Sequence, residues 1–329
     1  MSSTISALAD VLGRYAASSG APSLNAIEAR LRAPLAVTVL GRPGVGCGAV
    51  ARALTGAGVT VVTDAADAAD VRVVVIAETL KPEDRRALRG DLPSLVVLNK
   101  ADLSGRVVGG PLAAARRRAD DIAAAVGRPV VPMAAHLADV DVDDELFDAL
   151  RTLSTEPADM TSTDAFVRCE HSVPEPIRRR LLERLDRFGL AHAVLAVVEG
   201  AAADAVTAGL RGLSQTEAVV ERLDDFGAEV GYRRARAALM ELERAATESR
   251  DDDLAAFLAG DDVVIAVMAA AVGLVEASGL RVDPGDDPNT HLHRAVHWRR
   301  YADGPLDTLH RRCAADISRG SLRLLGQAR

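Results

Sequence analysis

Lysine is nearly missing from this chain. Only Lys81 and Lys100 occur, against 37 arginines, so a lysine anywhere in it departs from the default cation. Aromatic residues make up 3% although 49% of residues are hydrophobic. That balance disfavours a sandwich of sheets, which draws on aromatic and β-branched pairs, and favours closely packed, alanine-rich helices. The three cysteines, Cys47, Cys169 and Cys313, are far apart and odd in number. They make neither a disulfide framework nor a metal-ligand spacing, and a reducing cytoplasm is the compartment they imply. A formal charge of −8 argues against a dedicated nucleic-acid binder. No charged start leading into a continuous apolar core is present near Met1, so no signal peptide is expected. The most apolar stretch, residues 263–280, contains Gly273 and Glu276 and follows Asp261 and Asp262. It reads as a buried helix rather than a membrane span.

Against this background Lys100 stands out, because it falls in Asn99-Lys100-Ala101-Asp102 directly after the apolar run 95–98. Consecutive β-branched and Leu residues bounded by turn-formers predict a strand buried on both faces, and ligands in open α/β sheets bind at the carboxyl ends of strands. The pattern N-K-x-D at a strand end resembles the guanine-specificity motif of the translation-factor and dynamin-like GTPases. The resemblance implies that Asp102 accepts hydrogen bonds from N1 and N2 of a guanine, with Asn99 and Lys100 in the same guanine-binding set. Adenine would leave that acceptor unpaired. The competing reading is an ordinary turn and helix start, since Asn and Asp are common turn residues.

Upstream, a strand over 36–40 leads into Gly41-Arg42-Pro43-Gly44-Val45-Gly46-Cys47-Gly48 and then a helix to about Leu54. Gly41 and Gly46 have the Walker A spacing, and backbone N–H groups with a helix amino end could cradle phosphates there. The positions of the phosphate-clamping Lys and the metal-holding hydroxyl are instead Cys47 and Gly48, which removes most of the electrostatic part of phosphoryl transfer. Arg42 could replace part of the charge, from a different place in the loop. A tight turn in a nucleotide-free Rossmann-like sheet is the competing reading.

After a second strand at 59–63, the family resemblance calls for an effector loop and an Asp-x-x-Gly that orders Mg²⁺. Only about twenty residues separate the loop helix from the next strand at 71–76. Asp64-Ala65-Ala66-Asp67 lies where that motif belongs, with its glycine replaced. Asp64 is thus the one candidate metal ligand, Mg²⁺ binding is left open, and conventional switching is not expected. Helices over 82–90 and 112–126 flank the strand of the Asn-Lys-Ala-Asp motif. A strand at 130–131 then reaches Ala134-Ala135-His136, which resembles the loop whose backbone N–H meets the guanine oxygen in those GTPases.

Residues 139–175 are acidic and proline-containing, with one short helix at 145–153, and everything beyond shows helical spacing. The expected architecture is α/β, a P-loop GTPase-like, mostly parallel sheet with a reduced switch region, followed by an all-α domain. Its boundaries are 1–33 for amino-terminal helices that cover the sheet or a partner, 34–156 for the nucleotide-binding domain and 157–329 for the helical domain. In the helical part, Gly209-Leu210-Arg211-Gly212-Leu213-Ser214-Gln215 followed by Gly231-Tyr232-Arg233-Arg234-Ala235-Arg236 resembles the region that follows the G domain in actinobacterial dynamin-like GTPases. Within it, His293 and His297 have i, i+4 spacing, but Arg294, Arg299 and Arg300 would repel a cation, so a solvated helix stacked with Trp298 and Tyr301 is expected. Residues 290–329 hold eight Arg against three Asp. This basic end suits an anionic partner or an inner membrane surface.

Together these features predict a guanine-nucleotide-binding pseudo-GTPase with little or no hydrolysis. Gly41, Arg42, Gly44, Gly46, Cys47 and Gly48 would hold phosphate, and Asn99, Lys100, Asp102, Ala134 and Ala135 the guanine of weakly bound GTP or GDP. The partner implied is a second copy or a paralogous, competent GTPase, at a cytoplasmic location that extends to the periphery of the inner membrane. The alternatives are a helical scaffold that no longer binds nucleotide and a slow GTPase using Arg42 and Asp64 in unusual roles.

Overall fold

The computed structural model describes residues 3–19, 22–63, 69–105 and 107–328. In chain order its elements are α1 (Ser3–Ser19), α2 (Pro22–Arg32), β1 (Ala36–Gly41), α3 (Cys47–Gly56), β2 (Thr60–Val61), β3 (Val71–Ala77), α4 (Pro82–Ala87), β4 (Ser94–Asn99), α5 (Gly110–Val126), β5 (Val130–Met133), α6 (Asp144–Thr155) and α7 (Thr163–Arg168). They continue as α8 (Glu175–Val198), α9 (Ala203–Leu213), α10 (Thr216–Asp224), α11 (Gly227–Ser249), α12 (Asp252–Ala259), α13 (Asp261–Ala277), α14 (Pro288–Ala302) and α15 (Thr308–Gln327). Short 3-10 turns at Ala101–Leu103 and Ala135–Leu137 follow β4 and β5. The chain forms two compact units, one of Ala36–Leu223 and one of Met1–Leu35 with Asp224–Arg329.

In the first unit the described strands make one parallel sheet of order β2-β1-β3-β4-β5. The α/β fold expected from the sequence is therefore present. The β-branched runs form its centre: Val73 to Ile76 and Leu95 to Leu98 are buried on both faces, as parallel strands covered by helices must be. The chain leaves β1 toward β2 on one side and later returns to β3 on the other, so the order reverses between β1 and β3. A crevice outside the carboxyl ends of those strands is where such sheets take ligands. The small side chains Ala115 and Ala119 let α5 lie close against Val74, Ile76, Val96 and Leu98.

Helices beyond the sheet belong to the same unit. Leu146 and Leu150 of α6, Leu181 and Leu185 of α8, and Leu210 of α9 enclose Ala134 and Leu137 in one core. Each fully buried leucine contributes roughly 1.5–3 kcal/mol. Approach is close: a β-carbon on Gly189 of α8 would stand 2.9 Å from Leu137 Cδ2, and Ala134 N–H donates to Ser214 O (3.0 Å). This packing carries the unit past the acidic stretch to Leu223, where the sequence suggested a break at 156. The first part of the helical spacing beyond residue 175 forms the single α8, broken inside by Asp186 at φ 51°, ψ 179°.

The second unit gathers α1 and α2 with α11 to α15. Leu8, Leu12, Leu24 and Ile27 share a core with Tyr232, Leu242, Ala271, Trp298 and Ile317. The amino-terminal helices thus pack among the carboxyl-terminal ones, where covering the sheet or a partner was expected. Arg234 fixes the chain after α2 by donating to Ala33 O (2.5 Å) and Pro34 O (2.9 Å). The buried Tyr232 hydroxyl donates to Asp316 Oδ2 (2.7 Å).

Helix α14 is only half solvated. Trp298 is buried, with His297 (5.5 Å between centroids) and Tyr301 (5.2 Å) against it. Arg294 is also buried and structural. It donates to Ser321 Oγ (2.9 Å), Asp283 O (2.7 Å) and Gly285 O (3.1 Å), and contacts His291 Nδ1 (2.8 Å). Arg299, Arg300 and Arg312 remain exposed. Among the described residues no single helix is long and apolar enough to cross a membrane, although α12 and α13, bent by 48°, pass together on length and composition.

Candidate functional site

The glycine loop lies at the switch point of the sheet. β1 ends at Gly41, where a β-carbon would come within 2.6 Å of Val75 O and 2.7 Å of Cys47 Sγ, so no larger residue fits. Gly44 and Gly46 have φ of 86° and 94°, a left-handed conformation that costs other L-residues energy. Gly46 caps α3, and Cys47 and Gly48 form its first turn. The helix amino end and the loop have the form of an anion cradle.

The side chains of the loop do not supply positive charge to it. Burial pushes the Cys47 thiol up, which keeps it neutral where a clamping Lys would carry charge. Gly48 has no hydroxyl. Arg42 Nε donates to Asp84 Oδ1 (2.9 Å), with the Asp84 side chain 1% exposed. Asp84 Oδ2 also accepts the Lys81 N–H (2.9 Å) at the start of α4. Arg42 thus braces the loop against α4, and its hydrogen bond to Asp84 holds the guanidinium in the charged form.

The Asn-Lys-Ala-Asp stretch begins with the last residue of β4, two strands over from β1. Lys100 takes a left-handed conformation (φ 59°), turns the chain into Ala101–Leu103 and leaves its own side chain exposed. Asn99 is buried and joins three segments. Its Nδ2 donates to Val45 O (2.9 Å) in the glycine loop, and its Oδ1 accepts the Ala135 N–H (3.1 Å) in the turn after β5. The residues assigned to phosphate and those assigned to guanine are therefore physically one assembly. The Ala135 N–H is already engaged, so a base oxygen at that point would have to share it.

Asp102 is buried, and its Oδ1 has no hydrogen-bond partner. Desolvation raises its pKa, partly opposed by His136, whose Nδ1 lies 4.0 Å from Oδ1. A buried carboxylate oxygen left unpaired is costly. It is the atom from which the motif's base recognition is expected.

Asp64 and its neighbours Ala65, Ala66 and Asp67 lie outside the described residues. Among the described residues no group of three or more His, Cys, Asp or Glu is placed to hold a metal ion. Sequence reasoning passed over Asp84, whose signal was its place three residues after Lys81 at a helix start. It also gave no role to His136, which it placed directly after Ala134-Ala135 and which faces Asp102. Compared with protein families, curated proteins and solved structures, the chain gives no match.

Proposed function

We propose that the chain is a guanine-nucleotide-binding pseudo-GTPase with a P-loop-like site and little or no hydrolysis. The observation that supports this best is Asn99, which ties the glycine loop to the turn at Ala135, together with the buried Oδ1 of Asp102, which has no hydrogen-bond partner. A scaffold without nucleotide has no need of a buried, unsatisfied acceptor, which weakens the fold. Guanine presents adjacent N1–H and 2-amino donors to such an acceptor, whereas adenine has a bare acceptor at N1 and no 2-amino group.

On this reading phosphate is held by backbone N–H groups between Gly44 and Gly48 and by the amino end of α3, and the hold is weak because position 47 carries no Lys and Arg42 is engaged by Asp84. Hydrolysis fails for the same reason. The transferred phosphoryl group has no Lys and no Mg²⁺ hydroxyl, and Arg42, occupied by Asp84, is a poor substitute. The chain would act as partner or regulator of a competent dynamin-like GTPase, with its basic carboxyl-terminal helices meeting that partner, a second copy or anionic lipid.

Titration of the purified protein with fluorescent GTP, GDP and ATP, with and without Mg²⁺, tests the reading. GTP and GDP should bind with similar, modest affinity and ATP much more weakly. Equal affinity for ATP and GTP, or none for any of them, would refute it.

A further inference from the structure

The Ala135 N–H, the donor expected for the base oxygen, is already taken by Asn99 Oδ1 (3.1 Å). A second donor is therefore needed at the base end of the site, and the next residue carries one. His136 Nδ1 lies 4.0 Å from Asp102 Oδ1, too far for a hydrogen bond between them. Asp102 Oδ1 and His136 Nε2 are both buried without a hydrogen-bond partner.

Because nothing engages Nε2, the tautomer of the ring is set from its other side. The carboxylate facing Nδ1 favours the Nδ1–H form, so the two side chains present one donor and one acceptor next to each other. The His136 side chain is 35% exposed and that of Asp102 only 3%, which puts the imidazole on the solvent side of the buried oxygen. Both residues are fixed by their turns. Ala135–Leu137 is anchored by Leu137 in the core and by the Ala134 N–H bond to Ser214 O (3.0 Å), and Asp102 lies in the buried start of the turn after β4.

A donor and an acceptor that stand side by side without bonding each other match a ligand edge that carries the complementary pair on neighbouring positions. The lactam edge of a 6-oxopurine is such an edge, with O6 accepting and N1–H donating. We propose that His136 is a second specificity-determining residue, whose Nδ1–H donates to O6 while Asp102 takes N1–H, in place of the occupied Ala135 N–H. This rests on the guanine-nucleotide reading above. Adenine reverses both positions: its 6-amino group would meet the His136 donor and its bare N1 the Asp102 acceptor. It is thus refused twice.

The test measures the affinity of the whole chain for GDP and for 6-thio-GDP, in which a sulfur that accepts hydrogen bonds weakly replaces O6, in the natural protein and in His136→Ala and His136→Gln. The natural protein should prefer GDP. His136→Ala should weaken GDP by about three- to tenfold and leave 6-thio-GDP nearly unchanged, so that the preference disappears. His136→Gln keeps an N–H donor and should retain part of it. Neither ring nitrogen has a hydrogen-bond partner among the described residues, so both variants should melt within a few degrees of the natural protein. Equal affinity of the natural protein for the two nucleotides, or a GDP-to-6-thio-GDP ratio that both variants leave unchanged, overturns the role of His136 and leaves the guanine reading standing. A natural protein that binds neither nucleotide overturns both.

Discussion

A β-carbon placed on Gly46 would stand 2.4 Å from Nδ2 of Asn99. The glycine that caps α3 and the asparagine that ends β4 are therefore fitted to each other across 53 residues of chain. Gly46→Ala meets both this overlap and an unfavourable positive φ, and should destabilise the fold by on the order of 2 kcal/mol or more. Asn99→Ala leaves Val45 O and the Ala135 N–H unpaired in a buried setting, at about 1–3 kcal/mol for each. Urea denaturation of the two single variants checks both values. A loss below about 0.5 kcal/mol for Asn99→Ala would mean that the bridge is not formed.

Asp102→Asn should pull stability and binding in opposite directions. The folded-state pKa of Asp102 is raised from its ordinary 3.8. The stabilising contribution of this group is accordingly full below that value and is lost as pH rises through the folded pKa. The asparagine variant does not titrate there, so it should melt higher than the natural protein at neutral pH, and the gap should close as pH falls toward 4. Guanine preference should disappear, with about ten- to a hundredfold lost in GDP affinity. Calorimetry across pH 4 to 7 reads the first effect, and a variant that melts lower than the natural protein at pH 7 would contradict it.

The strands were legible because Val71 to Ile76 and Val96 to Leu98 are apolar runs closed by turn residues, a local signal that tertiary contacts only reinforce. The glycine loop and Asn99 were legible for the same reason, since their spacing is written within a few positions. The partners of these residues were not. Asp84 meets Arg42 from 42 residues away, and α8 breaks at Asp186, three residues ahead of its only glycine, Gly189. Periodicity announces helices but not the core they join. That is why α8 and α9, which close over Leu137, read as part of a separate helical domain.

Restoring the missing loop chemistry should separate binding from turnover. A β-carbon on Gly48 would meet only Arg52 Nη1, at 3.8 Å, so a serine fits, and Cys47→Lys with Gly48→Ser returns the charge and the hydroxyl. GTP affinity should rise at least tenfold when Mg²⁺ is present, through charge-assisted contacts with phosphate. Steady-state phosphate release should change far less, because the groups that position water are not restored with them. Turnover comparable to an active GTPase in the double variant would show that the short switch region suffices.

Association through the basic helices is the most exposed part of the proposed function. Arg299, Arg300, Arg311 and Arg312 carry exposed side chains on α14 and α15, the helices that also expose Leu292, Val296 and Leu322. Arg311 also donates to Leu306 O (3.0 Å), a local bond whose loss costs about 0.5–1.5 kcal/mol and leaves the core of Trp298, Cys313 and Ile317 in place. Reversing the four arginines to glutamate should therefore preserve the melting transition to within a few degrees. It should abolish sedimentation as an assembly, capture of a GTPase partner, or binding to anionic vesicles, whichever the natural protein shows. Association carried by these charges must also weaken with salt, since screening reaches a Debye length of about 8 Å at physiological ionic strength. A natural protein that stays monomeric, captures no partner and ignores vesicles of phosphatidylglycerol would remove this part of the proposal while leaving nucleotide binding to be judged by its own titration.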